Sequence, residues 1–490
     1  MIGVKAKAKT GVYFGKKIEG IHVFKGIPYA KPPVGALRWK PPVKLEESPE
    51  IIEAYEFGKV AIQEPVYSEQ ASYTAQGEDC LTMNIWTSDF DVPKAVMVFI
   101  HGGAFGWGGA TDPIYDGLNF VKRRNDVVLV TLQYRLNNLG FMSLAELGGA
   151  EYADSGNLGL LDQIQALEWI RENIAYFGGD PENVTIFGES CGGCSVTLLM
   201  AMASAKGLFH KVIAQSGCIN ITQSKSNKSV LDKFLEVSKR SSMDELLEIG
   251  EEEMRYINFK MEGLYDFPIR DGRLIPVDPY EAIQKGCADG VKLLIGTNEN
   301  EWNYWKQEIP EFELNFPPRW ECLIDELKEE FQPDKIDRYI SLRNDKSRLD
   351  VILDFANDIG FRIPAVIMAE KQSGHADTYM YYFKEPSKIE GMGACHAVEL
   401  AYVFQNFDGM AAIYTGPGPS RELAAQVQDA WVNFAISGDP GTDSISWPKY
   451  ETTSRATMFI ENGNWQVVND PGSEDRVLLE DICRIKLDLH

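Results

Sequence analysis

The 490-residue chain predicts an α/β fold: one elaborated domain, 1–490, around a doubly wound, mostly parallel sheet. Three observations carry this. Short apolar runs recur without polar alternation, a helix-period stretch lies between two of them, and no Gly/Ser- or Pro-rich linker divides the sequence. Continuous Val/Ile/Leu/Phe runs suit strands covered on both faces. Strand, helix, strand in that order argues for parallel pairing through crossovers.

The predicted strands are Val96–Ile100, Val127–Tyr134, Val184–Phe187, Lys211–Gln215, Lys292–Gly296 and Thr378–Phe383. Between the second and third lies a predicted helix, Leu161–Phe177, with Ile164, Leu167, Ile170 and Ile174 at helical spacing. Gly178-Gly179 closes it, and Asp180-Pro181 is expected to start a turn. Two charged, amphipathic stretches, Asn227–Phe259 and Phe312–Asp354, read as helical insertions within roughly 223–290 and 303–360. Each follows a strand end, where ligands gather in such sheets.

Composition narrows the function. Hydrophobic residues make up 44% of the chain, enough for a large core. Asp and Glu number 72 against 48 Lys and Arg, a formal charge of −24 that repels phosphate backbones and anionic lipid surfaces. Nucleic-acid binding and membrane association are therefore disfavoured. The first nine residues alternate lysine with small or apolar residues, so no signal peptide is read there, and no apolar run is long enough to span a bilayer. Eight scattered cysteines without metal-type spacing fit a reduced, cytoplasmic protein.

The chemistry-bearing motif is Gly188-Glu189-Ser190-Cys191-Gly192-Gly193, directly after the Val184–Phe187 strand. A serine in a strained strand-to-helix turn exposes its hydroxyl, and small flanking residues permit the turn. A glycine turn with an incidental serine is the alternative, and the strand before and glycines after it argue against that. This elbow is the signature of the α/β-hydrolase fold, where acid and then histidine follow the nucleophile in chain order. Of six histidines, His22 and His101 precede Ser190, His210 follows too closely, His490 is terminal and His375 lies before the last predicted strand. His396 remains, in a glycine-rich loop after that strand. The acid belongs in Gly296–Glu301, where spacing leaves Glu299 and Glu301 equally open.

An oxyanion needs backbone N–H donors at about 3 Å, and small residues let the main chain come that close. Val96–Ile100 runs into His101-Gly102-Gly103-Ala104-Phe105-Gly106-Trp107, so the amides of Gly103, Ala104 and Cys191 are the candidate donors. Phe105 and Trp107 are placed to wall the pocket. A phosphate-binding reading fails for want of G-K-[ST] or a helix-opening G-x-G-x-x-G.

Together these residues resemble the type-B carboxylesterase/lipase family, which includes cholinesterases and bacterial para-nitrobenzyl esterases. The likeness runs along nearly the whole chain. It rests on Phe24–Ala30 with Pro32–Gly35 and Arg38, Glu78–Ile85, Phe177–Gly193, Gly296–Glu301 and His396–Leu400, and Phe361–Ala365 suits the bacterial branch. The resemblance implies a mixed sheet, an active-site gorge roofed by the insertions, and ester hydrolysis through an acyl-enzyme with no metal or organic cofactor. It selects Glu301 over Glu299. It places Glu189 and Glu399 in a polar network beside the Ser190–His396–Glu301 triad, and Arg38, Glu78, Arg135 and Asp162 in structural ion pairs. Gln63 stands where the family's disulfide partner for Cys80 is expected, Cys191 replaces a more usual alanine, and Trp302 a usual glycine. The Cys191 side chain is read as a small buried hydrophobe. Ser68–Gln76 contains no tryptophan of the kind that stacks on choline, which disfavours a cholinesterase. The expected partner is a small, moderately apolar, uncharged ester. Rival readings are a non-catalytic scaffold on the same fold, which would lack part of the triad, and an amidase or carbamate hydrolase using it.

Overall fold

The computed structural model describes residues 2–63, 75–309, 311–330, 333–409 and 412–485. Thirteen strands form one sheet: β1 Ile2–Ala8, β2 Gly11–Ile18, β3 Ile21–Pro28, β4 Ile51–Glu53, β5 Thr82–Thr87, β6 Lys94–Ile100, β7 Val127–Leu132, β8 Gly179–Glu189, β9 Lys211–Gln215, β10 Lys292–Asn298, β11 Thr378–Phe383, β12 Ala456–Glu461 and β13 Asn464–Asn469. Their order is β1-β2-β3-β5-β7-β6-β8-β9-β10-β11-β12-β13, with β4 beside β2. From β7 to β12 every pairing is parallel. The main N-terminal ladder is antiparallel.

The parallel strands are buried on both faces. In β6, Val96, Val98 and Ile100 join one apolar cluster while Met97 and Phe99 join the other. This double burial explains why six strands were readable as unbroken apolar runs. β1 to β5, β12 and β13 were not predicted. β2 alternates buried and part-buried positions, and β13 is largely exposed.

Other boundaries moved. The helix after β7 runs Leu158–Asn173 and tightens into a 3₁₀ turn, Ile174–Phe177, ended by left-handed Gly178. Asp180-Pro181 does not open a turn; it lies within β8, whose first residue, Gly179, pairs with Lys94. The stretch after β9 holds helices Lys228–Ser238, Met243–Leu247, Glu251–Lys260 and Pro279–Gln284. That after β10 holds Asn303–Glu308, Phe312–Glu330, Pro333–Ser341 and Arg348–Asn357, continuing as one π-helical turn, Asp358–Arg362. No described helix is long and apolar enough to cross a membrane. Most of Ser68–Gln76 lies outside the described residues.

Candidate active site

The carboxyl ends of β6, β8, β10 and β11 lead into the oxyanion-loop, serine, acid and histidine segments. Ser190 sits between β8 and helix Cys191–Ala201 with φ +59° and ψ −127°, a strained backbone for a residue bearing a Cβ. The neighbouring glycines are required by space. A Cβ on Gly192 would meet the Ile100 carbonyl oxygen at 2.1 Å, and one on Gly217 the Ser190 carbonyl oxygen at 1.9 Å. The Ser190 amide donates to Gln215 O at 2.9 Å, which pins the elbow to β9.

Glu301 and Glu299, indistinguishable by spacing, separate here. Glu299 pairs with Lys384 at 2.7 Å. Glu301 is buried; its Oε1 accepts the Asn298 amide at 2.7 Å and its Oε2 lies 2.7 Å from His396 Nδ1. The acid and histidine loops are stitched by Asn300 N–H to Ala394 O, 2.9 Å, and Ala394 N–H to Asn300 Oδ1, 3.0 Å. Trp305 and Phe361 pack on the imidazole with centroids at 5.0 and 5.1 Å. Trp302 turns into an aromatic cluster with Trp305, Phe316 and Trp320.

Ser190 and His396 face one cavity, but no hydrogen bond joins them among the described residues. His396 Nε2 lies 3.1 Å from Glu189 Oε1, out of hydrogen-bond alignment. Burial alone would lower the imidazole pKa; Glu189 and then Glu301 outweigh it and raise it to about 9. Burial pushes Glu189 up to about 8, opposed by His396 and aided by Glu399 and Glu301. These shifts compete for one proton, since a neutral Glu189 withdraws the charge that lifts the histidine. The upward direction for His396 stands, because Glu301 holds Nδ1 in either case. Behind the pair, buried Glu399 accepts from Gln215 Nε2 at 3.0 Å and Asn298 Nδ2 at 2.6 Å. Gln215 Oε1 in turn accepts from Trp431 Nε1 at 3.0 Å.

In the oxyanion loop, Gly103, Ala104 and the adjoining Phe105 have φ of +105°, +49° and +61°. Only glycine fits at 103, where a Cβ would lie 2.1 Å from Trp107 O. The amide of Cys191 opens its helix and so has no intrahelical acceptor. Gln63 ties the loop down reciprocally: its Nε2 donates to Gly108 O at 2.9 Å and its Oε1 accepts Gly108 N–H at 2.8 Å. One expectation is corrected. Phe105 does not line the cavity; its ring is buried against Phe141 and Phe267 because its N–H and C=O are committed to Cys191 and Asn137.

The cavity holds about 230 Å³ and is walled by Trp107, Tyr304, Trp305, Ile309 and Tyr414, of which the sequence singles out Trp107 alone. Tyr304-Trp305, three residues past Glu301, was the missed signal; nothing local marked Tyr414. Asp112 also lines it, its carboxyl pushed up to about 7 by burial. No cluster of described residues could hold a metal ion. Arg38 chelates Glu78 (2.6 Å), and Arg135 chelates Asp162 (2.6 and 2.8 Å).

A serine elbow at the carboxyl edge of this doubly wound sheet, facing a Glu-held histidine, defines an α/β-hydrolase fold. The chain belongs to the carboxylesterase family, whose profile matches residues 5–475, and is by class a carboxylic ester hydrolase. It is 36% identical over 480 residues to the Bacillus subtilis para-nitrobenzyl esterase, covering 94% of this chain and 95% of that one. It is 32% identical to pig (Sus scrofa) liver carboxylesterase over 491 residues, covering 88% and 84%. A solved thermophilic PNB esterase superposes with TM-score 0.85 at 34% identity, and a Geobacillus stearothermophilus carboxylesterase with 0.85 at 32%. Each covers 97% of this chain and 99% of the other.

Proposed function

We propose that the chain hydrolyses small, moderately apolar, uncharged esters through an acyl-enzyme on Ser190. The observation that carries this reading is Ser190 at a positive-φ elbow, sharing a cavity with a histidine whose far nitrogen is held by Glu301. Substrate draws Nε2 from Glu189 toward the hydroxyl; contacts between nucleophile and base often tighten only in the complex. As the Oγ–C bond forms, the Oγ proton passes to Nε2, and the oxyanion takes N–H bonds from Gly103, Ala104 and Cys191. Collapse breaks the ester C–O bond, and the leaving oxygen takes the proton from Nε2. Water, deprotonated by the same nitrogen, bonds to the acyl carbon; the Oγ–C bond then breaks, the acid leaves, and Oγ takes the proton back from Nε2. Glu301 keeps the imidazole in the right tautomer and steadies its cation. The aromatic walls favour apolar groups.

The test is turnover of a panel of aryl and alkyl esters by wild type and Ser190→Ala. Abolished turnover with retained fold is expected. Undiminished turnover would overturn the assignment.

A further inference from the structure

Cys191 contributes more to the oxyanion site than its amide. Its Sγ accepts the Phe105 N–H at 3.1 Å and lies 3.8 Å from Tyr134 Oη. The Tyr134 hydroxyl proton is committed to His101 O at 2.9 Å, which leaves the thiol to donate across the 3.8 Å contact. Burial pushes the thiol up to about 12, so it keeps that proton. The relay Phe105 N–H to sulfur, S–H to Tyr134, O–H to His101 O therefore grips both ends of the segment 101–105. Between those ends lie the amides of Gly103 and Ala104, in a run of three left-handed residues of which two carry a Cβ. Such a backbone persists only where its surroundings hold it.

We propose that the Cys191 thiol is a positioning residue for the oxyanion loop, fixing the Gly103 and Ala104 amides where charge develops on the ester oxygen. This rests on the hydrolytic reading of Ser190. An alanine at 191 keeps the amide but removes the acceptor, whereas serine keeps an acceptor and a donor in nearly the same place.

The experiment measures kcat and KM for p-nitrophenyl butyrate, and affinity for an aryl trifluoromethyl ketone, whose serine adduct puts an oxyanion in the loop. It compares wild type with Cys191→Ala, Cys191→Ser and Ser190→Ala. Cys191→Ala is expected to lose about fivefold to tenfold in kcat and in ketone affinity, with KM within about twofold. Cys191→Ser is expected to recover most of both. If Cys191→Ala matches wild type in kcat and ketone affinity, or if serine fails as badly as alanine, the inference falls while an inactive Ser190→Ala leaves the esterase reading standing. A Ser190→Ala enzyme that still turns over, or still binds the ketone as wild type does, brings down both.

Discussion

His396 and Glu301 are joined twice: Nδ1 to Oε2 at 2.7 Å, and the His396 main-chain N–H to the Glu301 carbonyl at 3.2 Å. The second bond belongs to the backbone and survives any change of the acid's side chain. Glu301→Gln is therefore expected to fold with a near-native melting temperature yet lose about a thousandfold or more in kcat, because an amide cannot stabilise the imidazolium. Paired thermal melts and ester kinetics check this.

Activity and stability are expected to move oppositely with pH. The base must be neutral to accept a proton, so kcat/KM should rise through the His396 pKa of about 9. For stability, a pKa raised from 6.5 means the folded state binds the proton more tightly. That contribution is complete below about 6.5 and is lost as pH climbs through about 9. Glu189 competes for that same proton and adds no second, independent contribution. A pH-stat profile between about pH 6 and 10, with melts at each point, measures both trends. Glu189→Gln, which removes the carboxylate 3.1 Å from Nε2, should move the activity midpoint to lower pH.

The Arg135–Asp162 pair tests the scaffold. Asp162 also accepts the Arg135 main-chain N–H at 3.0 Å, and both residues are buried. Asp162→Ala leaves a guanidinium without its partner and is expected to cost about 3–5 kcal/mol in urea unfolding. Activity per folded molecule should change far less.

Gly217 backs the elbow. A methyl there has no room against the Ser190 carbonyl, so Gly217→Ala must displace the hydroxyl. A loss of about a hundredfold in kcat is expected, with circular dichroism unchanged.

Trp305 both lines the cavity and packs on the His396 ring. Trp305→Ala should raise KM for aryl esters roughly tenfold and for short alkyl esters less, as one aromatic contact is lost.

The sequence exposed the parts of the site whose chemistry leaves a local mark. Ser190 lies among glycines that steric contact demands, and β6, β8, β10 and β11 are apolar on both faces, so each signalled itself without partners. Glu301 could not be told from Glu299 by spacing, because the difference is which side chain turns toward His396 and which toward Lys384. The N-terminal ladder escaped because Lys5 and Lys7 interrupt β1 and Lys16 and Lys17 interrupt β2, so neither is a continuous apolar run. Phe105 was misplaced because left-handed φ values at non-glycine residues cannot be read from composition.

Gln63 and Gly108 exchange two amide hydrogen bonds at a place where the family resemblance called for a cystine, and all eight cysteines are unpaired. An amide latch is indifferent to electrons. The loop it holds should therefore close equally well in strong thiol reductant, and the purified enzyme should refold from denaturant without any oxidant or disulfide shuffling step.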